Sequence, residues 1–251
     1  MTILVTRPSP SGEQLVARLR TLGRVAYHSP LIEFAPGNDL SQLPGMLATL
    51  VPNDLIFVLS QHAVKYADRA LHEQGQHWPD FVSYYAIGRT TGLLMHRANS
   101  LPIIYPHDGE TSETLLTLSA LQTSAISGRN ALILRGNGGR ELLADTLRER
   151  GVNVRYCECY RRSPLYYDGS EQSSSWQRAG INTLVVTSGE MLQQLYTLVP
   201  DYYRTSWLLG CTLVVVSERL ATLARQLGWQ SIRVAENADN DALIRALKTV
   251  S

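Results

Sequence analysis

The residues best suited to chemistry are short polar clusters, each following an apolar run. They are Thr6-Arg7, Ser60-Gln61, Arg89-Thr90-Thr91, Arg135-Gly136-Asn137, Thr187-Ser188-Gly189 and Ser217-Glu218. Each stands where a strand would end and a helix begin. A helix start leaves backbone N–H groups without intrahelical partners, and the aligned peptide dipoles add partial positive charge. A carboxylate or phosphate is the natural guest of such a turn. Hydroxyls at Ser60, Thr90, Ser188 and Ser217 also suit helix capping, and the two roles can coexist. The residues expected to hold an anionic substrate are Arg7, Ser60, Gln61, Arg89, Thr90, Thr91, Gly136, Asn137, Ser188, Gly189 and Ser217.

Other chemistries find little support. No G-x-S-x-G or paired strand-end carboxylates occur, and Glu218 is the chief acid at these ends. Gly136-Asn-Gly-Gly lacks both the G-x-G-x-x-G and the G-K-[ST] patterns, so neither a dinucleotide site nor a P-loop is supported. Three cysteines, Cys157, Cys159 and Cys211, complete no four-ligand metal set. Their odd number and C-x-C spacing fit reduced thiols in a cytoplasm, with Cys157 and Cys159 on one strand face.

The elements that must carry these clusters repeat. Ser60-Gln-His-Ala-Val is echoed by Ser188-Gly-Glu-Met-Leu, an offset of 128 residues (60 to 188). Ile104 and Ile232 stand at the same offset (104 to 232). Apolar strands at Ile3–Val5, Val25–His28, Asp54–Leu59, Tyr84–Gly88, Asn130–Arg135, Asn182–Thr187, Thr212–Val216 and Ile232–Ala235 alternate with helical patterns. Pro30–Phe34 and Pro102–Tyr105 read as further strands, Ser112 opens a capped helix, and Val152–Tyr160 runs extended. The polar stretch Arg161–Arg178 reads as linker and loop, and Asp239–Val250 as the last helix. Uninterrupted alternation predicts α/β architecture: two similar lobes, each a parallel sheet flanked by helices, flavodoxin- or Rossmann-like, with a ligand cleft between them.

Bulk properties agree. A chain of 251 residues suits two domains, and 44% hydrophobic residues suit a globular protein. With 23 basic against 22 acidic residues, net charge predicts neither nucleic-acid nor membrane affinity. The opening Met1-Thr-Ile-Leu-Val-Thr-Arg-Pro reads as a strand and turn rather than a signal peptide.

Several pieces, in order, resemble the uroporphyrinogen-III synthase family. They are Ile3-Leu-Val-Thr-Arg-Pro, Phe57-Val-Leu-Ser-Gln-His-Ala-Val, Ala86-Ile-Gly-Arg-Thr-Thr and Leu134-Arg-Gly-Asn-Gly-Gly-Arg-Glu-Leu-Leu. Tyr160-Arg-Arg, Val186-Thr-Ser-Gly and Asp241-Ala-Leu-Ile-Arg-Ala-Leu complete the set. Leu59 and His62 stand where the family commonly carries Thr and Asn. The resemblance implies a discontinuous lobe of residues 1–35 plus 166–251 and a second lobe of 36–165. A two-stranded hinge near 29–36 and 160–166 would join them. It implies a lyase that cyclises hydroxymethylbilane, inverts ring D and loses water in tetrapyrrole biosynthesis, without a cofactor or metal. Tyr160 matches the family tyrosine of proton-donor role, and phenols keep their proton at neutral pH. The expected protein is a cytoplasmic monomer making at most transient contact with the preceding pathway enzyme, and binding neither nucleic acid nor membrane. From the residues alone, two rivals stand: a two-lobed cytoplasmic anion sensor without catalysis, and a transferase acting on phosphorylated sugars.

Overall fold

The computed structural model describes residues 1–248; the expected end of the last helix at Val250 lies outside them. Two compact units divide the chain. One is Met1–Phe34 with the chain from Ser163 onward, and the other is Ala35–Arg162.

The first stretch holds β1 (Thr2–Val5), α1 (Ser11–Thr21) and β2 (Val25–His28), and β3 (Ile32–Pro36) carries the chain into the second unit. Ile3, Leu4 and Val5 are wholly buried, as an unbroken apolar run in a central parallel strand requires. Helix α1 buries Leu15, Val16 and Leu19, and Gly23 follows it with φ of 75°. Gly12 admits no side chain: a Cβ there would lie 2.3 Å from both the Arg7 carbonyl oxygen and His28 Nε2.

The second unit runs α2 (Leu43–Ala48), β4 (Leu55–Val58), α3 (Gln61–Glu73), β5 (Ser83–Ala86), α4 (Arg89–Asn99), β6 (Ile103–Ile104), α5 (Ser112–Leu116), α6 (Thr123–Ile126), β7 (Asn130–Gly136), α7 (Leu142–Glu149) and β8 (Asn153–Pro164). Its sheet has the order β3-β8-β7-β4-β5-β6, and β4 pairs in parallel with both β5 and β7. Apolar residues pack on both faces, Ile56, Val58, Ala63 and Val64 on one and Phe57, Ile133, Leu143 and Leu147 on the other. Short helices α2 and α6 were not anticipated. The cap of α5 is Thr111, one residue before the expected Ser112, and it forms a capping box with Thr114.

The chain returns through α8 (Gly169–Arg178), β9 (Thr183–Val185), α9 (Gly189–Leu198), α10 (Asp201–Ser206), β10 (Thr212–Val215), α11 (Glu218–Leu227), β11 (Ile232–Val234) and α12 (Asn240–Lys248). The sheet order is β11-β10-β9-β1-β2, with every pair parallel. The linker expected at Arg161–Arg178 is overturned, because β8 continues to Pro164 and α8 follows. Asp168 caps α8 by accepting from the Glu171 N–H at 2.8 Å. Trp176 is buried in the core and donates from Nε1 to Ser29 Oγ at 3.2 Å. One indole anchors a helix whose serines hide its periodicity.

Candidate functional site

In doubly wound sheets, ligands sit beyond the carboxyl ends of the strands where the order reverses. In the second unit that point lies between β4 and β7, and in the first between β1 and β9.

Ser60 follows β4 in extended backbone and caps α3, its Oγ accepting from the Ala63 N–H at 3.1 Å. The same hydroxyl donates to Tyr160 Oη at 3.1 Å. Gln61 opens α3 in an exposed position. The Tyr160 ring lies 5.4 Å from the His62 ring and 6.0 Å from that of Tyr66. Burial holds the His62 imidazole below its ordinary pKa, with Lys65 and Arg162 adding repulsion. His62 therefore stays neutral at neutral pH.

Gly136 ends β7, buried beneath Tyr160. A Cβ there would lie 2.7 Å from the Tyr160 Cζ. Asn137 treats Arg162 as a strand partner: its Oδ1 accepts from the Arg162 N–H at 2.8 Å and its Nδ2 donates to the Arg162 carbonyl at 3.3 Å. The neighbouring Arg135 guanidinium stacks 3.6 Å from the centroid of Tyr156 and pairs with Glu141 at 2.9 Å. The Tyr156 hydroxyl donates to the same Glu141 carboxylate. Burial, with the Glu141 contact, pushes the Tyr156 phenol up to about 12. Arg140 pairs with Glu113. These contacts pin both flanks of the exposed turn at residues 137–140.

At the end of β5, Thr90 was expected as a cap and is not one. Gly88 holds the N-cap position of α4, with no side chain to offer. Its place is taken by Glu110, whose carboxylate accepts from the Arg89 N–H at 3.1 Å. The carboxyl lies so close over Gly88 that a Cβ would meet Glu110 Cδ at 2.3 Å. Arg89 and Thr90 are exposed and Thr91 is buried. Arg89, Tyr105, His107 and Glu110 help line a cavity of about 410 Å³. Glu110 is the functional candidate that sequence reasoning missed. It comes from a loop 21 residues away, so no local pattern signals it.

In the first unit, Ser188 caps α9 by accepting from the Met191 N–H at 3.2 Å, and Ser217 caps α11 from the Leu220 N–H at 3.3 Å. Both helix starts border a cavity of about 580 Å³ whose lining includes Gly189, Glu190, Arg219 and Leu223. Arg7, after β1, is turned onto the start of α12. Its Nη1 donates to the Ala238 carbonyl at 2.9 Å and to Asn240 Oδ1 at 2.7 Å. Burial lowers its pKa, opposed by Asp239. In this conformation the guanidinium ties two loops together.

The cysteines are all free and buried. Cys157 and Cys159 share a face of β8 with sulfurs 3.7 Å apart. Among the described residues no three His, Cys, Asp or Glu side chains gather as metal ligands, and no helix is long and apolar enough to cross a membrane.

Capped helix starts at the order-reversal points of two parallel-dominated sheets, one with a tyrosine over it, make an α/β scaffold whose helix starts suit anionic groups. The family profile described as uroporphyrinogen-III synthase HemD matches residues 13–245. The uroporphyrinogen-III synthase of Escherichia coli is 60% identical over 248 residues, covering 99% of this chain and 100% of that protein. Its namesake from Salmonella typhimurium is 59% identical over 248 residues, covering 99% of this chain and 100% of that protein. The chain belongs to the uroporphyrinogen-III synthase family. Its fold is shared by a crystal structure of mutant uroporphyrinogen III synthase from Thermus thermophilus, with TM-score 0.62 and 18% identity over 99% of both chains. The uroporphyrinogen-III synthetase of Helicobacter pylori gives TM-score 0.57 and 14% identity over 100% of this chain and 99% of that one.

Proposed function

We propose that this protein is a uroporphyrinogen-III synthase: a lyase that closes hydroxymethylbilane into a macrocycle with ring D inverted and water lost. The observation that carries this reading is 60% identity to a protein of that name across its whole length. The geometry supplies a physical route. Hydroxymethylbilane carries eight carboxylates, and the starts of α3, α4, α9 and α11 present N–H groups suited to them. On this reading Arg89, Thr90, Thr91, Asn137, Ser188, Gly189 and Ser217 hold substrate by main chain or hydroxyl, with Gln61 beside them. Arg7 joins them where a substrate carboxylate exchanges for Asn240.

The pyrroles are electron-rich, so departure of the hydroxyl leaves a stabilised azafulvene cation. Tyr160 donates its Oη proton to the departing hydroxyl, which leaves as water. The protein then holds the chain so that ring A meets the substituted carbon of ring D. Three buried free thiols suit a reducing compartment, so we place the reaction in the cytoplasm. The proposed working form is a monomer in transient contact with the preceding enzyme. The deciding experiment incubates purified protein with hydroxymethylbilane and resolves the products. Uroporphyrinogen III is expected; accumulation of only the non-inverted isomer I rejects the reading and favours an anion-binding module.

A further inference from the structure

Tyr160 does not reach α3 by ordinary strand alternation. Along β8, Val154 and Tyr156 pack on one side of the sheet with Ile133, Leu143 and Leu147. Cys157 and Cys159 pack on the other with Ile56, Ala63 and Val64. Side chains alternate with period two, so residue 160 would fall with Val154 and Tyr156. It packs instead with the cysteines. The pairing explains why. Arg135 of β7 faces Glu158, but Gly136 faces Tyr160, so an extra residue is inserted on β8 between those pairs. Such a bulge re-aims the following side chain. Here it turns the phenol onto the start of α3.

Two further features fix where the ring stops. Gly136 provides a bare α-carbon, and a Cβ would stand 2.7 Å from Cζ, 2.8 Å from Cε2 and 3.0 Å from Oη of Tyr160. Ser60 provides the hydroxyl contact with Oη at 3.1 Å while its oxygen accepts from the Ala63 N–H at 3.1 Å. A helix cap, a serine and the phenol thus form one directed chain. A serine hydroxyl has a single hydrogen to give. Given to Oη, it is not given to substrate.

We propose that Ser60 is a positioning residue that acts through Tyr160, with the bulge and Gly136 setting the ring's place. The proposal rests on the reading of Tyr160 as proton donor and reassigns Ser60 and Gly136 from substrate contact to support of that donor. With Ser60 donating to Oη, the phenolic proton is not given to Ser60, and the Ser60 hydrogen steadies the phenolate that remains after transfer.

The test compares Ser60→Ala, Ser60→Gly, Ser60→Thr and Gly136→Ala, each alone and with Tyr160→Phe. Glycine is included because it retains most of the capping stability, so loss of a cap and loss of a donor separate. A net hydrogen bond predicts that Ser60→Ala and Ser60→Gly lower kcat about three- to tenfold with KM nearly unchanged, and that Ser60→Thr restores it. In the Tyr160→Phe background, which has no Oη, the Ser60 changes are expected to cost nothing further in kcat. The ring is followed independently through the ¹³Cζ tyrosine resonance that Tyr160→Phe abolishes; it is expected to move in Ser60→Ala and in Gly136→Ala. If the Ser60 changes still lower kcat without Oη, or raise KM instead, Ser60 acts on substrate and the proposal falls while the Tyr160 reading stands. If Tyr160→Phe is fully active, the acid reading falls, and the resonance alone decides: an unmoved signal overturns the positioning role, and a moved one upholds the placement.

Discussion

Tyr160 and His62 face each other at the start of α3, and each carries a separable prediction. Removing Oη leaves a ring of nearly the same shape over Gly136, so Tyr160→Phe is expected to keep the fold. One leaving-group proton is worth roughly 10²–10⁴ in rate, so turnover should fall at least about tenfold. A steady-state assay beside a thermal melt checks both; unchanged turnover removes the acid role. His62 predicts a pH effect on stability. Its folded pKa is depressed, chiefly by burial, then by Lys65 and Arg162. The unfolded chain therefore binds the proton more readily than the folded one. The neutral imidazole's contribution is present above the unfolded pKa of about 6.5 and is lost as pH falls through that value toward the folded one. Urea midpoints of wild type and His62→Gln between pH 7.5 and 5 check this. The wild-type midpoint should fall more steeply, and parallel curves would refute it.

At the scale of elements, the start of α4 differs from those of α3, α9 and α11. Those three are closed by their own Ser60, Ser188 and Ser217, whereas α4 has a bare Gly88 and borrows Glu110. On the proposed reading, a chain carboxylate sits where a substrate carboxylate would be held, and the two would compete. Charge at a helix start is worth about 0.3–1 kcal/mol, so Glu110→Gln is expected to lower KM for hydroxymethylbilane about two- to fivefold with kcat nearly unchanged. A raised KM would show Glu110 supporting the site rather than competing for it. Helix α8 makes the complementary point about stability. Asp168→Ala removes its cap and should cost about 1 kcal/mol in chemical denaturation, and an unchanged midpoint would mean water replaces it. These two elements also mark the limit of the sequence. Strands such as Ile3–Val5 are legible because continuous burial demands continuous apolar residues. Ser60, Ser188 and Ser217 are legible because a cap is a local interaction three residues long. The serines of α8 conceal a helix whose large apolar anchor is Trp176, with Ser173 buried beside it. Glu110, Gly136 beneath Tyr160, and the bulge on β8 depend on pairing and loop closure across tens of residues, which no window on the sequence contains.

Across the whole molecule, four apolar clusters divide two and two. Those built on Leu184 with Trp229 and on Ile3 with Leu243 belong to the unit with both termini, and those built on Ile56 and Phe57 belong to the other. Each unit thus buries its own sheet on both faces, and the chain passes between them only within β3 and β8. Separate cores predict stability held locally, in cooperative blocks that open separately. Leu184 on central strand β9 is fully buried, and truncation to alanine should cost about 2–5 kcal/mol. That cost should appear as faster hydrogen exchange at amides of β1, β9, β10 and α9. Amides of β4, β7 and α3 should keep their wild-type rates, because the lost contacts are not theirs. The reciprocal variant, Ile133→Ala on β7, should reverse the pattern. Uniform acceleration in either variant would mean that the two units open as one block, and that the crossings within β3 and β8 transmit unfolding despite separate cores.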